Sequence, residues 1–343
     1  MRYWFFAICG FCFLSCDKKL ASHNYTSVGM QVLYTDSISI RAITVMEGNL
    51  AFAANKGTYG MVDFALNNIK TNVQLYDGSA PEFRAVAHTA TDFFMLSIAN
   101  PALLYKTGDY GNMELVYQEE DPQVFYDAMH FMNDTDGIAV GDSMNGCLSV
   151  ILTRDGGATW RKLPCTALPD GVEGEGAFAA SNSNIVSVGN IVWMATSKGR
   201  VLRSEDKGET WTAVQTPIAH EKNTQGIYAM DFYDAQLGIL IGGDYTQPEG
   251  KTANKAITVD GGKSWQLIAD GMDPGYKSCI QFVPNSGGKD VVAVGFTGIS
   301  YSNDGGESWK TLSDESFYTL RFLNDSVAYA AGKNRFAKLI FRD

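Results

Sequence analysis

The sequence is short of positive charge, histidine, cysteine and proline, and each shortage excludes something. Lys and Arg total 27 against 38 Asp and Glu, a formal net charge of −11. An acidic surface repels phosphate backbones, so no nucleic-acid partner is expected. The four histidines, His23, His88, His130 and His220, show no HxxxH or HExxH spacing, which leaves a zinc hydrolase without support. There is no GxGxxG on a strand-to-helix turn, no haem-attaching CxxCH and no EF-hand spacing, so neither cofactor nor metal is expected. Of the six cysteines, Cys9 and Cys12 lie in an N-terminal apolar run, and their CxxC is no redox motif. Cys147, Cys165 and Cys279 are too widely spaced for a disulfide framework or a paired metal knuckle and allow at most one bridge. Only nine prolines stand beside 35 glycines. Glycine at about a tenth of the chain, against a typical ~7%, with no low-complexity run, points to many tight turns and an all-β chain. The 45% of apolar residues supply a core, and 343 residues read as two domains or one large repeat domain.

What is present begins with an address. Met1-Arg2 precedes an apolar stretch from Tyr3 to Leu14 that is shorter than the ~20 residues a membrane span needs. Residues 1–15 fit a secretory signal peptide. Phe13-Leu14-Ser15-Cys16 resembles a bacterial lipobox, which implies that Cys16 is lipidated and that 16–27 form a solvated tether; a plain signal peptide is the alternative. On this reading the protein sits outside the cytoplasm in a bacterial cell envelope, held to a membrane by its lipid.

Beyond the tether a repeat organises the chain. The pattern [ST]-x-D-x-G-x-[ST]-W occurs at Thr153–Trp160, Ser204–Trp211, Thr258–Trp265 and Ser302–Trp309, with a degraded copy at Thr107–Asn112. Asp155, Asp206, Asp260 and Asp304 are suited to accept hydrogen bonds from backbone amides two residues on, while the glycines take positive φ. Trp160, Trp211, Trp265 and Trp309 open the returning strand with a large apolar face. Three short strands precede each copy in meander order, so each unit is a four-stranded antiparallel sheet, a β-propeller blade. Six blades run at about 39–76, 82–117, 124–163, 184–214, 226–268 and 277–312. Residues 317–343 supply three strands of a seventh, and Val28–Tyr34 is expected to complete it. The reading is a single all-β domain over 28–343, a seven-bladed propeller whose last blade is closed by the N-terminal strand. Blades one and two lack clean copies of the octapeptide, which leaves six or eight blades as alternatives.

The octapeptides resemble the Asp-box, or bacterial neuraminidase repeat, of sialidases, sortilin-type receptors and photosystem II assembly-factor propellers. Segments such as Ser39-Ile-Arg41-Ala, Glu82-Phe-Arg84-Ala and Gly174–Ser181 resemble a family of bacterial envelope propellers often labelled oxidoreductase or glycosyl hydrolase. The resemblance covers nearly all of the chain after the tether. It implies the fold and says little about activity, because one fold hosts many.

In a propeller the octapeptide turns lie on one face, and the second-to-third strand loops and inter-blade links on the other. That other face collects the longest insertions, 142–147, 164–183, 243–254 and 270–277, where function usually sits. It also receives Arg41, Arg84 and Asp127 at the starts of innermost strands, and Asp142, Glu175, Asp244, Tyr245 and Tyr276 from its loops. These eight residues are either a polar pocket for a small ligand or a peptide end, or a set of cross-links lining the channel. A sialidase needs an Arg-Ile-Pro segment, which is missing, and a three-arginine carboxylate clamp, for which only Arg41, Arg84 and Arg321 lie near strand starts. Glycoside hydrolysis in general needs two carboxyls facing across a sugar bond, a role open to Asp142, Glu175 and Asp244. The favoured reading is a lipid-anchored, monomeric scaffold that binds a protein or glycan. A glycan-cleaving enzyme is the alternative, and an oxidoreductase rests on the family label alone.

Overall fold

Runs of Val, Ile, Phe and Ala bounded by glycine or Asx turns become strands because branched and aromatic side chains pack well on a pleated surface. The computed structural model describes residues 22–46, 48–66, 68–108 and 111–343. The signal peptide, Cys16 and Asp109 of the degraded repeat lie outside the described residues. No α-helix occurs among the described residues, and no helix there is long and apolar enough to cross a membrane.

Five sheets have four antiparallel strands each. They are β5 (Phe83–His88), β6 (Phe93–Ser97), β7 (Ala102–Thr107) and β8 (Met113–Glu119); then β9 (Tyr126–Phe131), β10 (Gly137–Met144), β11 (Cys147–Thr153) and β12 (Arg161–Lys162). The next two are β13 (Ile185–Val188), β14 (Ile191–Ala195), β15 (Arg200–Ser204) and β16 (Thr212–Gln215), and β17 (Gln225–Phe232), β18 (Gly238–Asp244), β19 (Lys255–Thr258) and β20 (Gln266–Leu267). The fifth is β21 (Cys279–Phe282), β22 (Val291–Gly295), β23 (Gly298–Ser302) and β24 (Lys310–Ser313).

The remaining strands form one sheet, which corrects the expectation of seven four-stranded blades: among the described residues hydrogen bonding makes six sheets. In the sixth the order is β25 (Thr319–Phe322), β26 (Val327–Arg342), β1 (Ser27–Met46), β2 (Asn49–Ala54), β3 (Thr58–Asp63), β4 (Asn68–Val73). The reason is chain continuity. The strands read as a first and a last blade share β1, a single 20-residue strand that holds β26 from Ser27 to Ser39 and β2 from Ile40 to Met46. Register shifts between Val32 and Tyr34, Thr35 and Ser39, and Ile40 and Ala42 bend it from one partner to the other. β26 likewise serves two neighbours: Ala328–Ala331 pair with β25, Lys333–Arg342 with β1. Asn334 at φ 62° and the Phe341 amide on the Ser326 carbonyl (2.8 Å) lay its two halves side by side. Val28–Tyr34 therefore does lie against the C-terminal segment, through Phe336–Phe341.

The core lies between neighbouring sheets. Trp193, Ile227, Phe232, Leu240 and Trp265 form one such cluster, joining β13–β16 to β17–β20. Trp193 stacks on Phe232 (3.7 Å between ring centroids), and its Nε1 donates to the Gly261 carbonyl of the next octapeptide turn (2.8 Å). A side chain at Gly262 would stand 2.7 Å from that indole nitrogen, and φ there is +82°, so only glycine lets the turn meet the ring. Strands buried on both faces, such as β22 (VVAVG), are wholly apolar or small, while the outer strand β4 is mostly exposed.

The octapeptides build one repeated turn. In the second copy the Ser204 hydroxyl donates to Asp206 Oδ1 (2.7 Å) and accepts from the Gly208 amide (2.8 Å). Asp206 accepts from the Thr210 amide (2.9 Å) and hydroxyl (2.6 Å), and Trp211 Nε1 donates to the Gly208 carbonyl (2.9 Å). Asp155, Asp260 and Asp304 accept in the same way from Thr159, Ser264 and Ser308. The amides reached are three and four residues on, not two, because the chain makes a wider loop than an Asx-turn before the Trp. Trp309 repeats the indole bond; Trp265 Nε1 is buried without an acceptor, and nothing in the structure explains it.

Among the described residues one disulfide, Cys147–Cys165, ties the β10–β11 turn to the link that follows β12, and Cys279 is free and buried. Within the segment read as tether, Tyr25 is 1% exposed and packs on Tyr301 and Phe341.

Candidate functional site

The first strand of each four-stranded sheet, the second half of β1 and β25 surround the axis, so residues at their starts converge at one mouth of the channel. Arg41 arrives on β1, Arg84 on β5, Tyr228 on β17, and Tyr318 just ahead of β25. The link carrying Phe178, the β18–β19 loop carrying Tyr245, the link carrying Tyr276 and the β22–β23 turn carrying Phe296 close around them. Together they line a cavity of about 470 Å³. A second cavity of about 450 Å³ adjoins it, sharing Arg84, Phe178 and Ala179, and is lined further by Phe125, Asp142, Ser143 and Glu175. Both volumes lie in the range of small-ligand pockets.

The first cavity has aromatic walls and a cationic end. Phe178 stacks on Tyr228 at 3.8 Å, Tyr228 meets Tyr276 edge-on at 4.7 Å, and Tyr276 leans on Phe296 at 5.1 Å. Burial raises the Tyr228 and Tyr276 hydroxyls above the ordinary phenol range, so both stay protonated donors at neutral pH. The Arg41 guanidinium lies over the Tyr318 ring, 4.3 Å from its centroid. Burial, then the like charge of Arg84, lowers its pKa. Arg84 is tied to Glu82 (2.6 Å), whereas no carboxylate among the described residues pairs with Arg41. A half-buried guanidinium with a cationic neighbour and no acid is held ready for an anion.

The acidic candidates divide. Glu175, with a fully buried side chain, is clamped by Arg200, whose Nε and Nη2 both donate to it, and by the Val172 amide. Asp244 accepts from the Thr246 hydroxyl and amide (2.6 and 2.9 Å) and from Lys222 (3.1 Å), and the Thr246 hydroxyl leads in holding it well below the usual carboxylate range. Both are loop cross-links. The glycosidase reading needs two free carboxyls facing a sugar, and these two are engaged elsewhere.

Asp142 and Asp127 are different. Asp142 lines the second cavity and accepts one amide, from Ala177 (3.2 Å). Asp127 beside it is 0% exposed; the Ala177 amide and the Asp142 carboxyl are its near donors, and neither reaches good hydrogen-bond geometry. Burial, then Asp142, drives the Asp127 pKa well up; burial pushes Asp142 up to about 6. Two adjacent buried carboxyls behave this way when they share one proton. A side chain at Gly176 would stand 1.7 Å from Asp142 Oδ1, so glycine there lets the link close over the pair.

The structure thus brings Arg41, Arg84, Tyr245 and Tyr276 to one cavity and Arg84, Asp142 and Glu175 to its neighbour, sets Asp127 behind Asp142, and places Asp244 in neither lining. Sequence reasoning missed Phe178, Tyr228, Phe296 and Tyr318. Tyr228 and Tyr318 stand at innermost-strand starts, the same signal that singled out Arg41 and Arg84, while Phe178 lies in the 164–183 insertion, from which only Glu175 was taken.

The far half of the channel holds a cavity of about 340 Å³ lined by His88, His130, Asp231 and Arg321 among others. Arg321 donates to the carbonyls of Asn182 (2.8 Å), Leu320 (2.7 Å) and Ser181 (3.2 Å), so it cross-links the channel wall. Burial lowers His130 to about 4 and raises Asp231 to about 7.

No family model matches the chain, and no curated protein matches it. Among solved structures, one of YCF48 bound to D1 peptide aligns with a TM-score of 0.64 at 14% identity, covering 94% of this chain and 99% of that one. YCF48 from Cyanidioschyzon merolae gives 0.61 at 13% over 91% and 98%. The RRP9 WD40 repeats give 0.65 at 10% over 91% and 97%. At such identities the likeness concerns the fold alone: this chain is a β-propeller, similar in architecture to YCF48 and to WD40-repeat structures.

Proposed function

We propose that this protein is a binding or assembly scaffold of the bacterial cell envelope, lipid-anchored through Cys16, that captures a peptide end by its carboxylate between Arg41 and Arg84. The observation that carries the reading is Arg41: half-buried, seated on Tyr318, beside a second arginine and without an acid partner. A carboxylate entering here replaces water with charge-assisted hydrogen bonds inside an aromatic enclosure, where such bonds are strong. The fold neighbour YCF48 bound to D1 peptide supports a peptide as ligand. The octapeptide turns support membership in the Asp-box family, with those turns serving the scaffold and not the chemistry.

The test uses fluorescence-detected binding of octapeptide libraries with free or amidated C-termini. Free-acid peptides are expected to bind and amides to lose at least tenfold. Arg41→Ala is expected to lose the same preference with an unchanged unfolding midpoint. Equal binding of acids and amides overturns the reading.

A further inference from the structure

The cavity beside Arg84 has a floor that the carboxylate reading leaves unused. Asp127 Oδ1, Asp127 Oδ2 and Ser143 Oγ are buried oxygens without hydrogen-bond partners, and Asp142 stands between Asp127 and the cavity space. Every buried polar group in a folded protein normally finds a partner, and two carboxyls side by side are the costliest groups to leave without one. A shared proton satisfies part of this demand in the empty site. A primary ammonium, with three donors and a full positive charge, meets more of it.

Resting on the peptide-end reading, we infer that the Asp127–Asp142 pair receives a primary ammonium of the same ligand whose carboxylate lies at Arg41 and Arg84. The two cavities share Arg84, Phe178 and Ala179 as a common wall, so one short ligand reaches both ends. Three extended residues span about 10 Å, the scale of two adjoining pockets. The ammonium comes from a lysine near the C-terminus or from the α-amine of a very short peptide; the chemistry at the pair is the same.

Proton release accompanies this binding. The free pair holds one proton and one negative charge; the ammonium keeps its own three protons, the shared one leaves to solvent, Asp142 pairs with the cation directly, and Asp127 behind it is balanced by the cation's charge through Asp142. The groups facing the pair are Arg84 on β5, the Ala177 amide of the covering link, and Glu175, itself neutralised by Arg200 on β15. Lys198 lies beyond Gly174 on the outer side. Burial pushes the Asp142 carboxyl of the pair up to about 6.

Calorimetry on the full mature chain with four probes decides the matter: N-acetyl-Ala-Lys-Ala, its C-terminal amide, trialanine and N-acetyl-trialanine. At least one amine-bearing acid is expected to bind tenfold or more tighter than N-acetyl-trialanine at pH 7.5. Which one does so identifies the source of the ammonium. That preference should shrink toward pH 5, and titrations in buffers of different ionisation enthalpy should show a proton released. Asp142→Asn should abolish both the preference and the proton release. Should neither amine-bearing acid exceed N-acetyl-trialanine, the inference is wrong while the carboxylate reading stands. If the amide of N-acetyl-Ala-Lys-Ala binds as tightly as the acid, the carboxylate reading fails and the ammonium site survives. Absence of binding by all four probes overturns both.

Discussion

At the scale of single residues the site is a set of unmet demands. Arg41 lacks an acid, and Asp127 lacks a hydrogen bond of good geometry, whereas Glu175 in the lining of the second cavity is fully satisfied by Arg200. Demands of this kind cost stability, and the sign follows from linkage. Because the folded pKa values of the Asp127–Asp142 pair are raised, the folded state holds a proton that the unfolded chain has released. The pair's contribution is therefore most favourable below the unfolded carboxyl pKa of ~3.9 and is lost as pH rises through about 6. Asp127→Asn keeps the shape, gives Asp142 a donor and removes one buried carboxyl. Its unfolding midpoint at pH 7 should exceed that of the parent, by about 2–4 °C per kcal/mol relieved. At pH 4 the two should nearly coincide. Scanning calorimetry at both values checks this, and a midpoint lowered at pH 7 would show that the pair is a stabilising cross-link. None of this was legible in the sequence. Asp127 and Asp142 could be assigned to one face, but 15 positions apart nothing showed that they touch, nor that Glu175 would be taken by Arg200.

At the scale of the element, the octapeptide turn is self-contained, which is why it could be read. Hydroxyl, aspartate and glycine bond within eight residues in every copy, and the indole does so in three of the four, so local sequence determines local structure with little tertiary help. The Ser264 hydroxyl leads in holding Asp260 down at about 2, against the pull of burial. A depressed folded pKa contributes stability that is present above the unfolded value of ~3.9 and is lost as pH falls toward 2. Acid unfolding should therefore begin below pH 4, with the turns among its causes. Trp211, 7% exposed and bonded to the Gly208 carbonyl, fills the space between β9–β12 and β13–β16. Trp211→Ala should cost roughly 3–5 kcal/mol by emptying that space. Thermal unfolding should show the loss, while peptide binding at a temperature where the variant is folded should stay within twofold of the parent. A large loss of binding in the folded variant would mean that the two faces are coupled.

At the scale of the whole molecule, closure depends on the two ends. The first half of β1 covers the edge of β26, and Tyr25 is buried against Tyr301, whose hydroxyl bonds Asp290 (2.9 Å) and the His23 carbonyl (2.9 Å). Deleting residues 22–35 removes this cover and leaves β26 with a row of unpaired backbone groups, a template for another chain. The truncated protein should unfold several degrees lower and elute in size-exclusion chromatography as larger, concentration-dependent species. A monodisperse truncated chain with an unchanged midpoint would show that the ring holds without its N-terminal strand.

The repeat period, the glycine-bounded strands and the self-bonded octapeptides, all short-range features, determined from sequence alone that the chain is an all-β propeller and which loops share a face. How many sheets result was decided only by the tertiary structure. The count depends on whether β1 breaks between its two partners, and bulges at Val32, Thr35 and Ile40 let one strand serve both. The same holds for the site. Charge and position placed Arg41 and Arg84 at a common mouth, but which carboxylates remain unpaired there depends on contacts between segments far apart in the chain, such as Arg200 with Glu175 and Lys222 with Asp244. Hydrogen-bond partners of that kind are chosen by packing across the ring, and no local pattern encodes them.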